Sequence, residues 1–246
     1  MGRSRVDLLL VARGLFDSRA RARAAIEAGL VTADGVVVAK PAELVSEDAT
    51  IAATAAHPWV GRGALKLVHA LELWPLDLTG RTVLDVGAST GGFTEVCLAR
   101  GAARVFAVDV GRDQLHASLR SDSRVVGLEG TDARRLTTDQ ITTPPDLVVC
   151  DASFIGLAKV LPIPLSLAGE GADLVALVKP QFEVGPDRVG KGGLVKDEAA
   201  RAEALSDVIA FIQSAGWEVM ATADSPIEGG DGNHEFLLHA RKSRPA

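Results

Sequence analysis

The chain has 246 residues, 47% of them hydrophobic and 24% charged, with a net charge of −6. Such a composition describes an ordinary globular protein with a sizeable core in one or two domains, and it excludes a histone-like binder coated in positive charge. No apolar run approaches the ~18 residues of a membrane span, and Asp7 interrupts the first apolar run, which argues against a signal peptide. Cys97 and Cys150 are the only cysteines, each inside an apolar pattern, which suits buried thiols in a reduced cytoplasm. A cytoplasmic protein is expected.

The positive charge is gathered at one end. Residues 1–25 hold six arginines against Asp7 and Asp17, a balance of +4, so residues 26–246 carry −10. Ser4-x-x-Asp7 has the form of a capping box opening a helix that Gly14 ends. Asp17 or Ser18 can cap a second helix closing at Gly29, with Arg19 and Arg23 four apart on one face. "LVTADGVVVAK" predicts a hairpin turning at Asp34-Gly35. Two short arginine-bearing helices followed by a hairpin resemble the S4-like RNA-binding fold. On that resemblance Arg3, Arg5, Arg19 and Arg23 are expected to contact phosphates, whereas spacing alone favours a solvated charged face. Residues 1–56 are assigned to this domain. A linker, 57–62, follows where Pro58 and Gly61 interrupt periodicity.

From Gly63 to the C-terminus helical and strand patterns alternate. "ALKLVHALEL" has helical spacing. The runs "TVLDVG", "RVFAVD", "RVVGLE", "DLVVCD" and "ADLVALVK" read as strands separated by helix-like segments. A helix from Asp197 carries the apolar stripe Ala202, Leu205, Val208, Ile209 and Ile212, and Gly216 ends it. "WEVMATADS" and "EFLLHARK" complete the strands. This pattern predicts an α/β, Rossmann-like, mostly parallel sheet covered on both faces. Ligands of such sheets sit beyond the carboxyl ends of the strands, where Asp85, Asp109, Asp151 and Lys179 all fall.

The turn in "DVGASTGGFT" permits three readings. A dinucleotide-binding turn wants a glycine where Ser89 stands, between Gly87 and Gly92. Gly87-Ala-Ser89-Thr-Gly91 also has the form of a nucleophile elbow, and a triad Ser89…Asp224…His234 can be written, although no strands of the sheet precede the turn. Third, Asp85-x-Gly87-x-Ser89-x-Gly91-Gly92 resembles the first motif of S-adenosylmethionine-dependent methyltransferases. That resemblance makes Asp85, Gly87, Ser89, Gly91, Gly92 and Phe93 cofactor-binding candidates, Asp109 a ribose binder and Asp132, in "GTDARRL", a partner of the adenine amine.

The strand end "VVCDASFIG" lacks the paired prolines common in amino-group methylation, and Cys150 lies inside its strand rather than beyond it as a carbon-methylating cysteine would. Lys66, Asp151, Lys179 and Glu235 resemble instead the K-D-K-E tetrad of FtsJ-like ribose 2′-O-methyltransferases. With "GRGALKL", "DVGASTGGFT", "VVCDASFI", "LVKPQFE" and "SPIEGGDGNHEFLLHA", nearly the whole chain resembles the TlyA-type, hemolysin-like rRNA methyltransferases. Arg62 of the first of these motifs joins the RNA-binding candidates, and Gly61 departs from the serine usual before it. The resemblance implies 2′-O-methylation of a cytidine ribose in rRNA within a ribosomal subunit. Lys179 would accept the hydroxyl proton, with Lys66 favouring its neutral form and Asp151 and Glu235 orienting the group. Residues 180–196 are expected to form a lid. The rival readings are a non-catalytic RNA-binding protein and a serine hydrolase. No metal cluster, membrane-lytic segment or obligate protein partner is indicated.

Overall fold

The computed structural model describes residues 2–229 and 231–243, and the chain divides into two compact units, residues 1–62 and 63–246. In the first unit, strand β1 (Arg3–Arg5) leads into helices α1 (Val6–Ala12) and α2 (Arg19–Glu27), then strands β2 (Val31–Ala33), β3 (Val36–Val37), β4 (Leu44–Ser46) and β5 (Ile51–Ala53). β1 pairs with β4, and β3, β2 and β5 form a second antiparallel sheet. Asp34 and Gly35 take φ of +50° and +81°, which is the backbone that a two-residue hairpin turn requires. Val6, Leu10, Ala22, Ala25, Ile26 and Val31 are sealed in the core of this unit.

The start of α1 departs from the sequence expectation. Ser4 lies in β1, the cap position falls to Arg5, and no side chain caps the helix. Asp7 is fully buried and held by Nε and Nη2 of Arg5, at 3.0 Å each, and by Arg19 at 2.9 Å. The Arg5 hydrogen bonds above all bring its carboxyl down to about 2. Two guanidinium groups satisfy a buried carboxylate better than one backbone N–H, so the pairing wins over the cap. At α2 the expectation narrows to Ser18, whose side chain accepts from the Arg21 amide.

The second unit opens with α3 (Ala64–Leu73), followed by β6 (Thr82–Val86), α4 (Gly92–Ala99), β7 (Arg104–Asp109), α5 (Ala117–Arg120), β8 (Val125–Glu129) and β9 (Leu147–Cys150). Short helices α6 (Leu157–Val160) and α7 (Pro162–Leu167) precede β10 (Asp173–Val178). Helices α8 (Pro180–Glu183) and α9 (Glu198–Ser214), then strands β11 (Trp217–Asp224) and β12 (Phe236–Lys242), complete it. The seven strands lie in the order β11-β12-β10-β9-β6-β7-β8, and only β12 runs antiparallel to its neighbours. From β6 the chain winds outward to β8, then returns to β9 on the other side of β6. The reversal leaves a crevice at the carboxyl ends of β6 and β9, where sheets of this kind bind ligands.

Every residue of β6, β9 and β10 is buried, which is why these strands read as continuous apolar runs rather than alternating ones. Two expectations need correction here. The apolar face of α9 runs through Ala200, Ala204, Val208 and Ile212, with Ala202 exposed on the opposite side. An alanine tolerates either face, so it is a poor marker of a stripe. The β8–β9 connection holds a single 3-10 turn, Ala133–Arg135, instead of a helix. Residues 180–196 are also more ordered than a loop: α8 is followed by 3-10 turns at Pro186–Arg188 and Lys191–Gly193.

Candidate active site

The glycine turn is shaped by what lies beside it. Gly87 has φ +83°, and a Cβ built there would stand 2.8 Å from Ala152 Cα and 2.9 Å from its amide nitrogen. No side chain fits, so the turn leans directly on the backbone leaving β9. Ser89, in the slot where a dinucleotide turn has glycine, accepts a left-handed φ of +48°. Its amide donates to Asp109 Oδ2 at 2.8 Å, and the Gly111 amide donates to Asp109 Oδ1 at 2.7 Å. The carboxylate at the end of β7 therefore fixes both its own loop and the turn.

Gly87, Ser89, Asp109, Asp132 and Asp151 line one cavity of about 600 Å³, within the usual range for a small-molecule site. Asp132 caps the 3-10 turn after β8, and its hydrogen bonds with Arg134 hold its carboxyl down to about 2. Asp85, Gly91, Gly92 and Phe93 are not in the wall. Gly91, at φ +95°, starts α4, and Phe93 packs in the core. Val110, Gln114, Ile155 and Val160 are among the other residues of the wall and escape the sequence reading. Val110 follows Asp109 directly and was within reach of the strand-end rule, but Gln114 is brought in only by the path of a loop.

Asp85 points under the turn. It is fully buried, with Oδ2 accepting from Thr94 Oγ1 at 2.6 Å. Burial, helped by the charge of Asp151 and opposed by Thr94, raises its carboxyl to about 7. The native state then holds a proton that the unfolded chain releases near its ordinary value of 3.8. Stability should fall as pH rises between these two values and level off above them. Asp85→Asn removes that slope, so the melting temperature of the variant relative to the parent should climb from pH 4 to pH 8. A constant difference across that range would refute it.

The tetrad residues come from four elements and meet. Lys66 lies on α3, Asp151 directly follows β9, Lys179 directly follows β10 and Glu235 directly precedes β12. Lys66, Lys179 and Glu235 are buried. Lys66 Nζ is 2.6 Å from Glu235 Oε2 and 3.6 Å from Asp151 Oδ1, while Lys179 Nζ is 2.8 Å from that same Oδ1. Lys179 also donates to the Asp151 carbonyl at 3.0 Å and to Ser153 Oγ at 2.8 Å. Asp151 thus sits between two lysines and also faces the cavity. The antiparallel course of β12 is what brings Glu235 to this edge, since a parallel strand would begin at the opposite one.

The segment after Asp151 is pinned at its far end, where Glu183 accepts from the Leu157 amide at 2.8 Å. Burial raises the Glu183 carboxyl. Phe154, at φ +66° and 89% exposed, stands against Phe182 with ring centroids 5.3 Å apart. Asn233 is buried and ties its own loop to residues 193–195: it accepts from the Val195 amide at 3.0 Å and donates to the Gly193 carbonyl at 2.9 Å. His234 and Asp224 pair at 2.9 Å, but Ser89 Oγ donates to Gln114 rather than to a histidine. In the first unit Arg3 donates to the Leu44 carbonyl, and Arg23 lies 3.9 Å from Glu27. Arg62 is the last residue of that unit.

A sheet of this topology with this crevice defines a class: residues 59–242 match the model of the FtsJ-like methyltransferases, and residues 4–51 match that of the S4 domain. An S-adenosylmethionine-dependent methyltransferase from Mesorhizobium loti, 14% identical with a TM-score of 0.52 over 71% of this chain and 96% of its own, shares the fold. The 16S/23S rRNA (cytidine-2′-O)-methyltransferase TlyA of Mycobacterium tuberculosis is 51% identical over 97% of this chain and 90% of that one. A solved structure of a hemolysin-named protein from Streptococcus thermophilus is 39% identical with a TM-score of 0.79, covering 100% of this chain and 90% of its own. The chain belongs to the FtsJ-like methyltransferase family, in its S4-bearing TlyA group. Neither the hydrolase nor the non-catalytic reading finds support among these relatives. Among the described residues, no helix is long and apolar enough to cross a membrane.

Proposed function

We propose that the protein methylates the 2′-hydroxyl of a ribose, that of a cytidine, in ribosomal RNA, with S-adenosylmethionine as methyl donor. The observation that carries this reading is the buried meeting of Lys66, Asp151, Lys179 and Glu235 beside a nucleoside-sized cavity. The cavity fits the cofactor: Asp109 presents a carboxylate at a strand end for ribose hydroxyls, Asp132 one for an adenine amine, and Gly87 leaves backbone uncovered. When bound, S-adenosylmethionine supplies a methyl group activated by a sulfonium.

A ribose hydroxyl is a poor nucleophile near neutral pH, so its proton must leave as it attacks. Lys179 Nζ takes that proton. Asp151 holds Lys179 through two contacts, and the Lys66–Glu235 pair closes the other side of Asp151. The remainder of the rate comes from holding the hydroxyl in line with the methyl group. Phe154 is exposed and Phe182 stands partly buried against it, an aromatic pair on which the base of the target nucleotide can stack. Residues 180–196 act as the lid, residues 57–62 as the linker, and rRNA as substrate puts the work in the cytoplasm.

The test is product analysis: ribosomal subunits incubated with tritiated S-adenosylmethionine should yield a label that survives alkaline digestion inside a dinucleotide. Label on a base would overturn the reaction type. Asp109→Ala should weaken S-adenosylmethionine binding by ~1–3 kcal/mol, the scale of a lost charge-assisted hydrogen bond. Unchanged affinity in calorimetry would remove Asp109 from the site.

The arginines call for separate treatment. Arg5 and Arg19 hold the buried Asp7 while their side chains stay 43% and 54% exposed, so they can meet a phosphate without releasing it. Removing them would also unsettle the unit. Arg3→Ala and Arg23→Ala are the cleaner probes: each should reduce the log–log salt slope of RNA binding by roughly 0.7–0.9. Parental slopes would return these residues to a solvated face.

A further inference from the structure

An ammonium has three N–H bonds and no lone pair. Lys179 Nζ donates to the Asp151 carbonyl at 3.0 Å and to Ser153 Oγ at 2.8 Å, and it lies 2.8 Å from Asp151 Oδ1 as an ion pair. A lysine held in this way cannot accept a proton until it has lost one. Its partners differ in what they can do about that. The Asp151 carbonyl only accepts, and Asp151 Oδ1 is shared with Lys66 at 3.6 Å, so it lies between two lysine nitrogens. A hydroxyl both accepts and donates. Ser153 is also exposed and lines the cavity, whereas Lys179 is only 6% exposed.

We propose that Ser153 is the positioning residue that readies Lys179, carrying its proton to solvent and marking the direction from which the ribose hydroxyl approaches. This rests on the methyl-transfer reading above. In the relay, one Nζ–H bond breaks as a bond forms to Ser153 Oγ, and the proton already on that oxygen passes to water. The net change is one proton from lysine to solvent, with the serine unchanged. The lone pair so freed points along the Nζ–Oγ direction, toward the cavity, because the other two directions face Asp151. A small exposed side chain can swing aside and let a substrate oxygen take that place. After transfer the ammonium has re-formed, and the same route empties it for the next turnover.

The test compares the parent with Ser153→Ala and Ser153→Thr on ribosomal subunits. The parent must first give a 2′-O-methylated product, and its failure to do so would sink the reaction reading rather than the relay. With an active parent, Ser153→Ala should be slower by roughly 10–100-fold, less than the loss expected of the general base itself. RNA KM, S-adenosylmethionine affinity and melting temperature should stay near the parental values. Imidazole added to the buffer should raise the rate of Ser153→Ala in proportion to its concentration while leaving the parent unchanged. Ser153→Thr, which keeps the hydroxyl, should work like the parent. A parental rate for Ser153→Ala would overturn the proposal, and so would a slow variant that imidazole does not accelerate.

Discussion

Lys179→Ala should lower the rate of methyl transfer by ~10²–10⁴-fold, the range for a lost general base. The ammonium contacts only Asp151 and Ser153 among the polar groups named above, and Lys179 is not among the residues that line the cavity proposed for the cofactor. Cofactor affinity in calorimetry should therefore stay near the parental value, and KM for the RNA should move little. A loss confined to kcat is the signature of an interaction made only as the proton leaves. Parental turnover would keep the family but shift the proton acceptor to Asp151, which touches both lysines. The alanine leaves Asp151 its contact with Lys66 at 3.6 Å, so this carboxylate is not left alone and the fold should survive.

A second large effect is expected in stability. Lys66 and Glu235 form the shortest ion pair of the tetrad, 2.6 Å, with side chains 8% and 2% exposed. Taking one partner away strands the other charge out of water, at about 3–5 kcal/mol. At roughly 2–4 °C per kcal/mol for a unit of this size, Lys66→Met should lower the melting temperature by about 6–20 °C. Lys66→Met combined with Glu235→Leu should recover most of the loss, because two apolar chains of similar volume need no counter-charge. Both variants should be catalytically impaired, so the pair would be held for chemistry rather than stability. Additive losses in the double variant would refute this view of the pair.

How much of this was legible beforehand follows from the kind of signal each feature leaves. The central strands announce themselves because both faces are covered, and their acids fall at the carboxyl ends by the same rule that locates ligands in such sheets. The tetrad was legible as an ordered set of motifs, and the antiparallel β12 could be expected from the fold family alone. What was not legible depends on side-chain competition. Ser4-x-x-Asp7 had the spacing of a cap, yet Arg19, twelve positions beyond Asp7, helps draw that carboxylate inward. Asp85 is the penultimate residue of β6 and Asp109 the last of β7, but Asp85 turns toward Thr94 while Asp109 stands in the cavity wall. Ser153 drew no notice in "VVCDASFIG", because nothing in spacing tells a serine that bonds a lysine from one that bonds water.

The position of β12 has a consequence for the timing of synthesis. Lys66 and Glu235 are 169 positions apart in the chain, and β12 is hydrogen-bonded between β10 and β11 on both of its edges. The strand that delivers Glu235 leaves the ribosome after every other element of the sheet, and domains form from the N-terminal side during translation. The cavity walls from Val86 to Val160 can therefore assemble first, and the first unit can reach RNA earlier still. The lysine on α3 waits for its counter-charge until the final strand closes. A nascent chain of this protein is thus able to touch nucleic acid long before it can modify any, and catalytic competence arrives only with β12.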